Sequence, residues 1–91
     1  MKLKLFATYR SITGCKETDV TAPPDVWTLL EELADSYGGP MREKLFTPDG
    51  KDMGVDAIVL VNGRHVADLD GKNTPLSETD TVCLFPMVAG G

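Results

Sequence analysis

The sequence predicts a single α+β domain in which one amphipathic helix packs on one face of a small mixed sheet. Its length of 91 residues fits one domain with one modest core. The predicted elements run strand, strand, helix, strand, strand, strand, which suits a hairpin, a crossing helix and a further hairpin or meander. Hydrophobic residues at 42% and charged residues at 25% are ordinary globular values, so the composition argues against a disordered or fibrous chain.

The helix has the clearest pattern, and it follows Pro23-Pro24. Asp25 is a good N-cap, because its carboxylate accepts hydrogen bonds from the free amides of the first turn. Apolar residues then recur at alternating spacings of three and one, which places them on one helix face. These residues are Val26, Leu29, Leu30, Leu33, Ala34 and Tyr37. Gly38-Gly39 and Pro40 then end the helix.

Strands are predicted both before and after the helix along the sequence. Leu3 and Leu5 alternate with lysines, as in a half-buried first strand. Asn62-Gly63 is a strong hairpin signal, because both positions of a type I′ turn need positive φ. The other predicted elements are a turn at 11–16, strands at 17–21, 55–61, 64–69 and 81–85, a short helical turn at 41–45 and a loop at 47–54.

Charge and residue inventory argue against several functional classes. Fourteen acidic and nine basic residues give a net charge of −5, without the basic stripe of a nucleic-acid binder. No apolar run approaches the ~20 residues of a membrane span, and the run near the start is too short for an export signal. We therefore expect a cytoplasmic protein that binds neither nucleic acid nor membrane. Two distant cysteines and one histidine are too few for a usual structural zinc site, so neither a metal nor a bound cofactor is expected.

The sequence also lacks the parts of an enzyme. Neither GxSxG nor GxxxxGK[ST] occurs. His65 follows the hairpin turn, where an exposed histidine is the simpler interpretation. Cys83 lies in the last strand with no base nearby in sequence, so a structural thiol is expected there. We expect a non-catalytic protein.

The end of the sequence is the feature that points to chemistry. Gly90-Gly91 has no Cβ atoms, so it forms a thin thread that fits a narrow channel. A carboxylate at its tip becomes an acyl electrophile when ATP adenylates it, and sulfur or an amine then attacks. A frayed terminus without a function is an equal alternative on the glycines alone.

The residues before these glycines carry a family resemblance. Phe85-Pro86-Met87-Val88-Ala89-Gly90-Gly91 resembles the tail of the ubiquitin-like sulfur carriers, above all the small subunit of molybdopterin synthase, which typically ends Phe-Pro-Pro-Val-small-Gly-Gly. Two positions differ from the family pattern. Met87 stands where the second proline is usual, and Thr79 stands where the turn before the last strand usually has glycine. Further matches are Leu5-Phe6-Ala7, Arg10, Gly14, the helix at 26–33, Val61-Asn62-Gly63 and Pro75-Leu76. The loop at 46–56, Asp70-Gly71 and Thr74-Pro75-Leu76 resemble the longer archaeal-type branch of the family.

The resemblance implies a β-grasp (ubiquitin-like) fold with four to five strands, one main helix, and the first and last strands side by side. It implies a domain over residues 1–86 and a flexible tail over 87–91. It further implies that Gly91, preceded by Gly90, is adenylated by a partner enzyme that uses ATP, converted to a thiocarboxylate, and used by the molybdopterin synthase large subunit. The residues that it places on the partner surface are Phe6, His65, Phe85, Met87, Val88 and Ala89.

The sequence is also compatible with other functions. The archaeal-type branch includes carriers for cysteine or homocysteine synthesis. It also includes protein modifiers, which would be joined to lysines of target proteins through Gly91. A structural binding domain whose terminal glycines do nothing is a further alternative.

Strand alternation adds a separate expectation about the aromatic residues. If Leu3 and Leu5 face the helix, Phe6 faces the opposite side, and the same alternation turns Phe85 outward. On parallel neighbouring strands the two rings would form one exposed patch beside the tail. Such patches often mark partner docking, although packing within the chain itself is the alternative.

Overall fold

The computed structural model describes residues 1–87. The strands are β1 (Lys2–Leu5), β2 (Glu17–Asp19), β3 (Ile58–Val61), β4 (Arg64–His65) and β5 (Thr81–Phe85). The helices are α1 (Thr8–Thr13), α2 (Val26–Tyr37) and α3 (Gly39–Leu45), with single 3₁₀ turns at Val66–Asp68 and Gly71–Asn73. Within this part of the chain, no helix is long and apolar enough to cross a membrane.

The strands form one mixed sheet in the order β2-β1-β5-β3-β4. The first and last strands run parallel, with Leu3 opposite Val82 and Leu5 opposite Leu84. The other strand pairs are antiparallel. This is the arrangement that the family resemblance implies.

The core lies between α2 and the inward face of the sheet. The alternation predicted from the sequence is confirmed, because Leu3, Val59 and Val82 are fully buried while their strand neighbours are not. Helix α2 contributes Val26, Leu29, Leu30, Leu33 and Ala34 to this core.

Both ends of α2 follow the predicted local chemistry. The Asp25 side chain accepts a hydrogen bond from the Thr28 amide at 2.8 Å. At the other end, the Gly38 amide donates to the Ala34 carbonyl at 2.8 Å, and Gly38 has φ 83°. Helix α3 begins at the next residue and has Pro40 in its first turn, where a missing N–H costs nothing.

The prediction of a turn at 11–16 is wrong in part, because residues 8–13 form α1. Tyr9 anchors this helix: its ring is fully buried, and its hydroxyl donates to the Asp56 carbonyl. Gly14 then ends the helix with φ 76° and donates its amide to the Arg10 carbonyl. Six residues are too few for a hydrophobic period to be recognised in the sequence.

Two predicted strands are shorter in the structure. The strand at 55–61 begins only at Ile58, because Val55 lies 76% exposed and the Ala57 amide closes a turn on the Gly54 carbonyl. The strand at 64–69 ends at His65, whose Nδ1 accepts from the Ala67 amide at 3.0 Å and caps the first 3₁₀ turn. β2 similarly covers 17–19 rather than 17–21.

The Asn62-Gly63 hairpin turn is confirmed, since φ is 51° at Asn62 and 83° at Gly63. Asn62 also ties the turn to the start of β5. Its amide nitrogen donates to Asp80 Oδ1 at 2.8 Å, and its oxygen accepts from the Thr81 amide at 2.9 Å. The bond from Asn62, followed by that from the Ser77 amide, lowers the pKa of Asp80.

We expect Leu30→Ala to lower the free energy of unfolding by about 2–5 kcal/mol, because Leu30 is fully buried at the centre of α2 and the truncation leaves a cavity. Denaturant unfolding measures the change. A loss below about 0.5 kcal/mol, the range of ordinary surface substitutions, would mean that this helix face is not in the core.

We expect Asp80→Asn to lower stability near neutral pH and to have progressively less effect in acid. A depressed carboxyl pKa contributes stability above the unfolded pKa of about 3.9, and that contribution is lost as pH falls through the folded pKa. The measurement is the difference in unfolding free energy between wild type and variant, from about pH 7 to about pH 2. A difference that stays constant over this range would contradict the assignment.

Candidate functional site

The candidate site begins where β5 ends and the chain leaves the sheet through Pro86 and Met87. Met87 is 54% exposed. Val88, Ala89, Gly90 and Gly91 lie outside the described residues, so their assigned roles stay predictions. The structure thus defines the surface from which the tail departs.

The sheet face opposite α2 carries one continuous row of side chains across all five strands. The strand register places the members of this row beside one another in sequence from the β4 edge to the β2 edge. They are His65, Leu60, Cys83, Lys4 and Glu17. The first four are half-buried, whereas Glu17 at the edge is exposed. This outward face therefore has an apolar centre with polar groups at both sides.

A second row on the same face is aromatic and lies next to the tail. Ile58 pairs with Phe85 across β3 and β5, and the Phe6 amide extends the β1–β5 ladder by donating to the Leu84 carbonyl at 3.2 Å. The Phe6 and Phe85 rings stack with centroids 4.2 Å apart and planes 12° from parallel. The predicted pairing of the two rings is therefore confirmed. Both residues are half-buried rather than fully exposed, because stacking covers one face of each ring.

Arg10 adds a positive charge to this aromatic pair. Its guanidinium carbon lies 6.0 Å from the Phe6 ring centroid, and its Nε donates to the Leu5 carbonyl at 3.5 Å. From the sequence alone, Arg10 is only a residue shared with the sulfur-carrier family. Its position over Phe6 depends on α1, which the sequence does not predict.

His65 lies on the same face as the aromatic pair but is separated from it by β3. Its Nδ1 is engaged by the Ala67 amide, so Nε2 is the nitrogen left for a partner. Phe6 and Phe85 thus lie together where the chain leaves the sheet, Met87 follows Phe85 by two residues, and His65 lies two strands away on the same face.

Asp56 is a site residue that no sequence pattern singles out. Its Oδ1 accepts a hydrogen bond from the Met87 backbone amide at 3.2 Å, and its Oδ2 lies 4.0 Å from the Lys44 ammonium. An isolated carboxylate in a loop has no pattern in the sequence, so only the folded chain reveals this contact.

No group of three or more His, Cys, Asp and Glu side chains in residues 1–87 is placed to hold a metal ion. We call Pro86 and Met87, where the chain leaves the sheet, the tail root. Neither residue lines the groove of about 520 Å³ beside Trp27 and Phe46.

Comparison with known proteins identifies the family. The ThiS family model matches residues 3–91. The chain belongs to the ThiS family. Small archaeal modifier protein 3 of Haloferax volcanii is 38% identical over 96 residues, which cover 100% of this chain and 98% of that protein.

Two solved structures share its fold over nearly the whole length. Small archaeal modifier protein 1 of Methanosarcina acetivorans is 28% identical with a TM-score of 0.79, covering 99% of this chain and 94% of that one. A Pyrococcus furiosus protein, described as a candidate subunit 1 of molybdopterin converting factor, is 29% identical with a TM-score of 0.73, covering 96% and 95%. This ThiS family chain accordingly has the ubiquitin-like β-grasp fold and belongs to a group of sulfur carriers and modifiers.

We expect Phe6→Glu and Phe85→Glu to weaken binding to an adenylating enzyme, the partner that the family resemblance implies, more than they weaken the fold, because a charge beside the tail opposes apolar docking. Tyr37→Glu is the matched control, since Tyr37 is an exposed aromatic residue at the end of α2. Binding is measured by titration calorimetry and folding by thermal melts. Unchanged binding of both phenylalanine variants, or unfolding of both, would contradict a docking role.

Proposed function

We propose that this ThiS family protein is a cytoplasmic sulfur carrier whose Gly91 carboxylate is the reacting group. The observation that supports this best is the position of the tail root. The last described residues leave the central strand beside the stacked Phe6 and Phe85 rings, so a partner docked on those rings receives the tail at the same time. In this proposal the chain's own side chains bind the partner enzymes and position the tail, and the partner enzymes perform the chemistry.

The proposed reaction begins with attack of a Gly91 carboxylate oxygen on the α-phosphorus of ATP, which releases pyrophosphate and leaves an acyl adenylate. The terminal sulfur of a protein persulfide then attacks the acyl carbon, and AMP leaves. A thiol of the donor system cleaves the resulting acyl disulfide, which leaves a disulfide on the donor and a thiocarboxylate on the carrier. Gly90 and Gly91 suit this sequence, because a thread without Cβ atoms enters a narrow active site.

We propose the sulfur-free pterin precursor of molybdopterin as the sulfur acceptor, with the large subunit of molybdopterin synthase as the second partner. Two observations support this choice: the Phe85-Pro86…Gly90-Gly91 ending and the similarity to the Pyrococcus furiosus converting-factor protein. Incubation of the thiocarboxylate form with the large subunit and a sulfur-free pterin precursor tests the choice. Transfer of sulfur to the pterin supports it, and retention of sulfur on the carrier contradicts it.

The second candidate function is protein modification. It is favoured by the 38% identity to small archaeal modifier protein 3. The adenylation step is the same, but a lysine amine attacks the activated carbonyl and an amide bond forms. A sulfur carrier for cysteine or homocysteine synthesis shares every step up to the thiocarboxylate. The candidates therefore differ only in the final nucleophile or acceptor.

Deletion of Gly91, or addition of one residue after it, is expected to abolish sulfur loading with little change in thermal stability. Deletion moves the carboxylate back by up to ~3.5 Å, whereas an attack geometry tolerates errors of about 1 Å. Extension places the reacting carbon in an ordinary peptide bond. Gly90→Val is also expected to impair loading, because a β-branched side chain crowds a narrow channel.

The assay for these variants is ATP-dependent thiocarboxylate formation by the cognate adenylating and sulfur-donating enzymes, read by intact mass. Thr79→Gly serves as a control outside the tail, since it restores the residue that the family usually has at that position. Normal loading of the Gly91 deletion would contradict the carrier hypothesis.

A further inference from the structure

The contact between Asp56 and the start of the tail joins parts of the chain that are far apart in sequence. The Met87 amide donates to Oδ1 at 3.2 Å across a separation of 31 residues. The other carboxylate oxygen faces the Lys44 ammonium of α3 at 4.0 Å. Both oxygens of one carboxylate thus face donors from different elements.

Asp56 is itself held in place from the core side. Its carbonyl accepts the hydrogen bond of the buried Tyr9 hydroxyl. Two residues later β3 begins, and Ile58 pairs directly with Phe85 of β5. Burial, followed by the nearby Asp56 charge, raises the pKa of Tyr9, so its hydroxyl remains a donor at physiological pH. The carboxylate therefore projects from a fixed backbone.

The residue that Asp56 contacts is also the residue at which this tail departs from the usual Phe-Pro-Pro ending. A proline at position 87 would have no amide hydrogen and could not donate this bond, but its ring would fix φ. Met87 lacks the ring constraint and supplies the N–H instead. The hydrogen bond to Asp56 thus uses the backbone N–H that the usual proline would lack.

We propose that Asp56 is a positioning residue that holds the root of the tail through the Met87 N–H. The proposal rests on the proposed function, because holding the root matters only if residues 88–91 deliver a reacting group. Four residues extend at most ~14 Å, so fixing Met87 sets the point from which that length is measured to the Gly91 carboxylate. Order present before docking lowers the entropy lost on binding. Asp56 thereby replaces the restriction that a second proline supplies.

The test is a double-mutant cycle at positions 56 and 87, assayed with the adenylating enzyme. We expect Asp56→Ala to raise KM about two- to tenfold, the worth of one hydrogen bond, with kcat little changed. Met87→Pro is the second single variant of the cycle, because proline removes the N–H that Asp56 contacts, and its own KM is the baseline for the double variant. Adding Asp56→Ala to Met87→Pro is then expected to have no further effect, since the N–H that Asp56 holds is already absent.

Asp52→Ala is the matched control. Asp52 lies in the same loop and approaches a lysine, Lys72, at 3.8 Å, but the hydrogen bond that Met87 donates goes to Asp56 and not to Asp52. Denaturant unfolding of each variant checks that the fold is intact. An Asp56→Ala effect of equal size in the Met87→Pro background would overturn the proposal, because the effect would not pass through the Met87 N–H.

A second readout is independent of sulfur chemistry. We expect Asp56→Ala to lower the ¹⁵N order parameter of the Met87 amide, while Asp52→Ala leaves it unchanged. An unchanged order parameter in Asp56→Ala would overturn the positioning role of Asp56 even if adenylation proceeds. If wild type is not adenylated but the order parameter falls in Asp56→Ala, the proposed function is contradicted and the positioning role of Asp56 is kept.

Discussion

The parallel pairing of β1 and β5 is the interaction on which the rest of the structure depends. It places Leu3 beside Val82 and Leu5 beside Leu84 on the core face, against α2. One hydrogen bond further along, the Phe6 amide reaches the Leu84 carbonyl, and this step brings Phe6 onto Phe85 on the opposite face. The same register therefore builds the core and the surface from which the tail leaves.

The two faces of the sheet have separate tasks. The inward face is apolar in the three central strands, β1, β5 and β3, and these residues carry the stability of the domain. The outward face is only half-buried, with Leu60 and Cys83 at its centre and Lys4 and His65 beside them. We interpret it as a docking surface for partner enzymes. A chain that delivers its own carboxylate to another protein needs a stable base and a recognisable surface, and neither requires a catalytic side chain.

Much of this architecture follows from local rules, and the rest depends on tertiary contacts. The α2 stripe, its Asp25 cap and the Asn62-Gly63 turn each have a pattern within a few residues, so the sequence predicts them. Helix α1 has no such pattern, because Tyr9 stabilises it through a partner 47 residues away. The contact of Asp56 with Met87 is equally remote. The Phe6–Phe85 stack was predictable because alternation and strand pairing together determine it.

The carrier account is tested most directly by the intact mass of this chain isolated from its own cells. The account predicts a fraction in which one oxygen of Gly91 is replaced by sulfur, identified by the mass difference between the two elements and by alkylation of the thiocarboxylate. A ladder of conjugates joined through Gly91, with no sulfur-loaded form, would identify a protein modifier and contradict the carrier account. Unmodified chain alone, in cells that contain the adenylating enzyme, would contradict both.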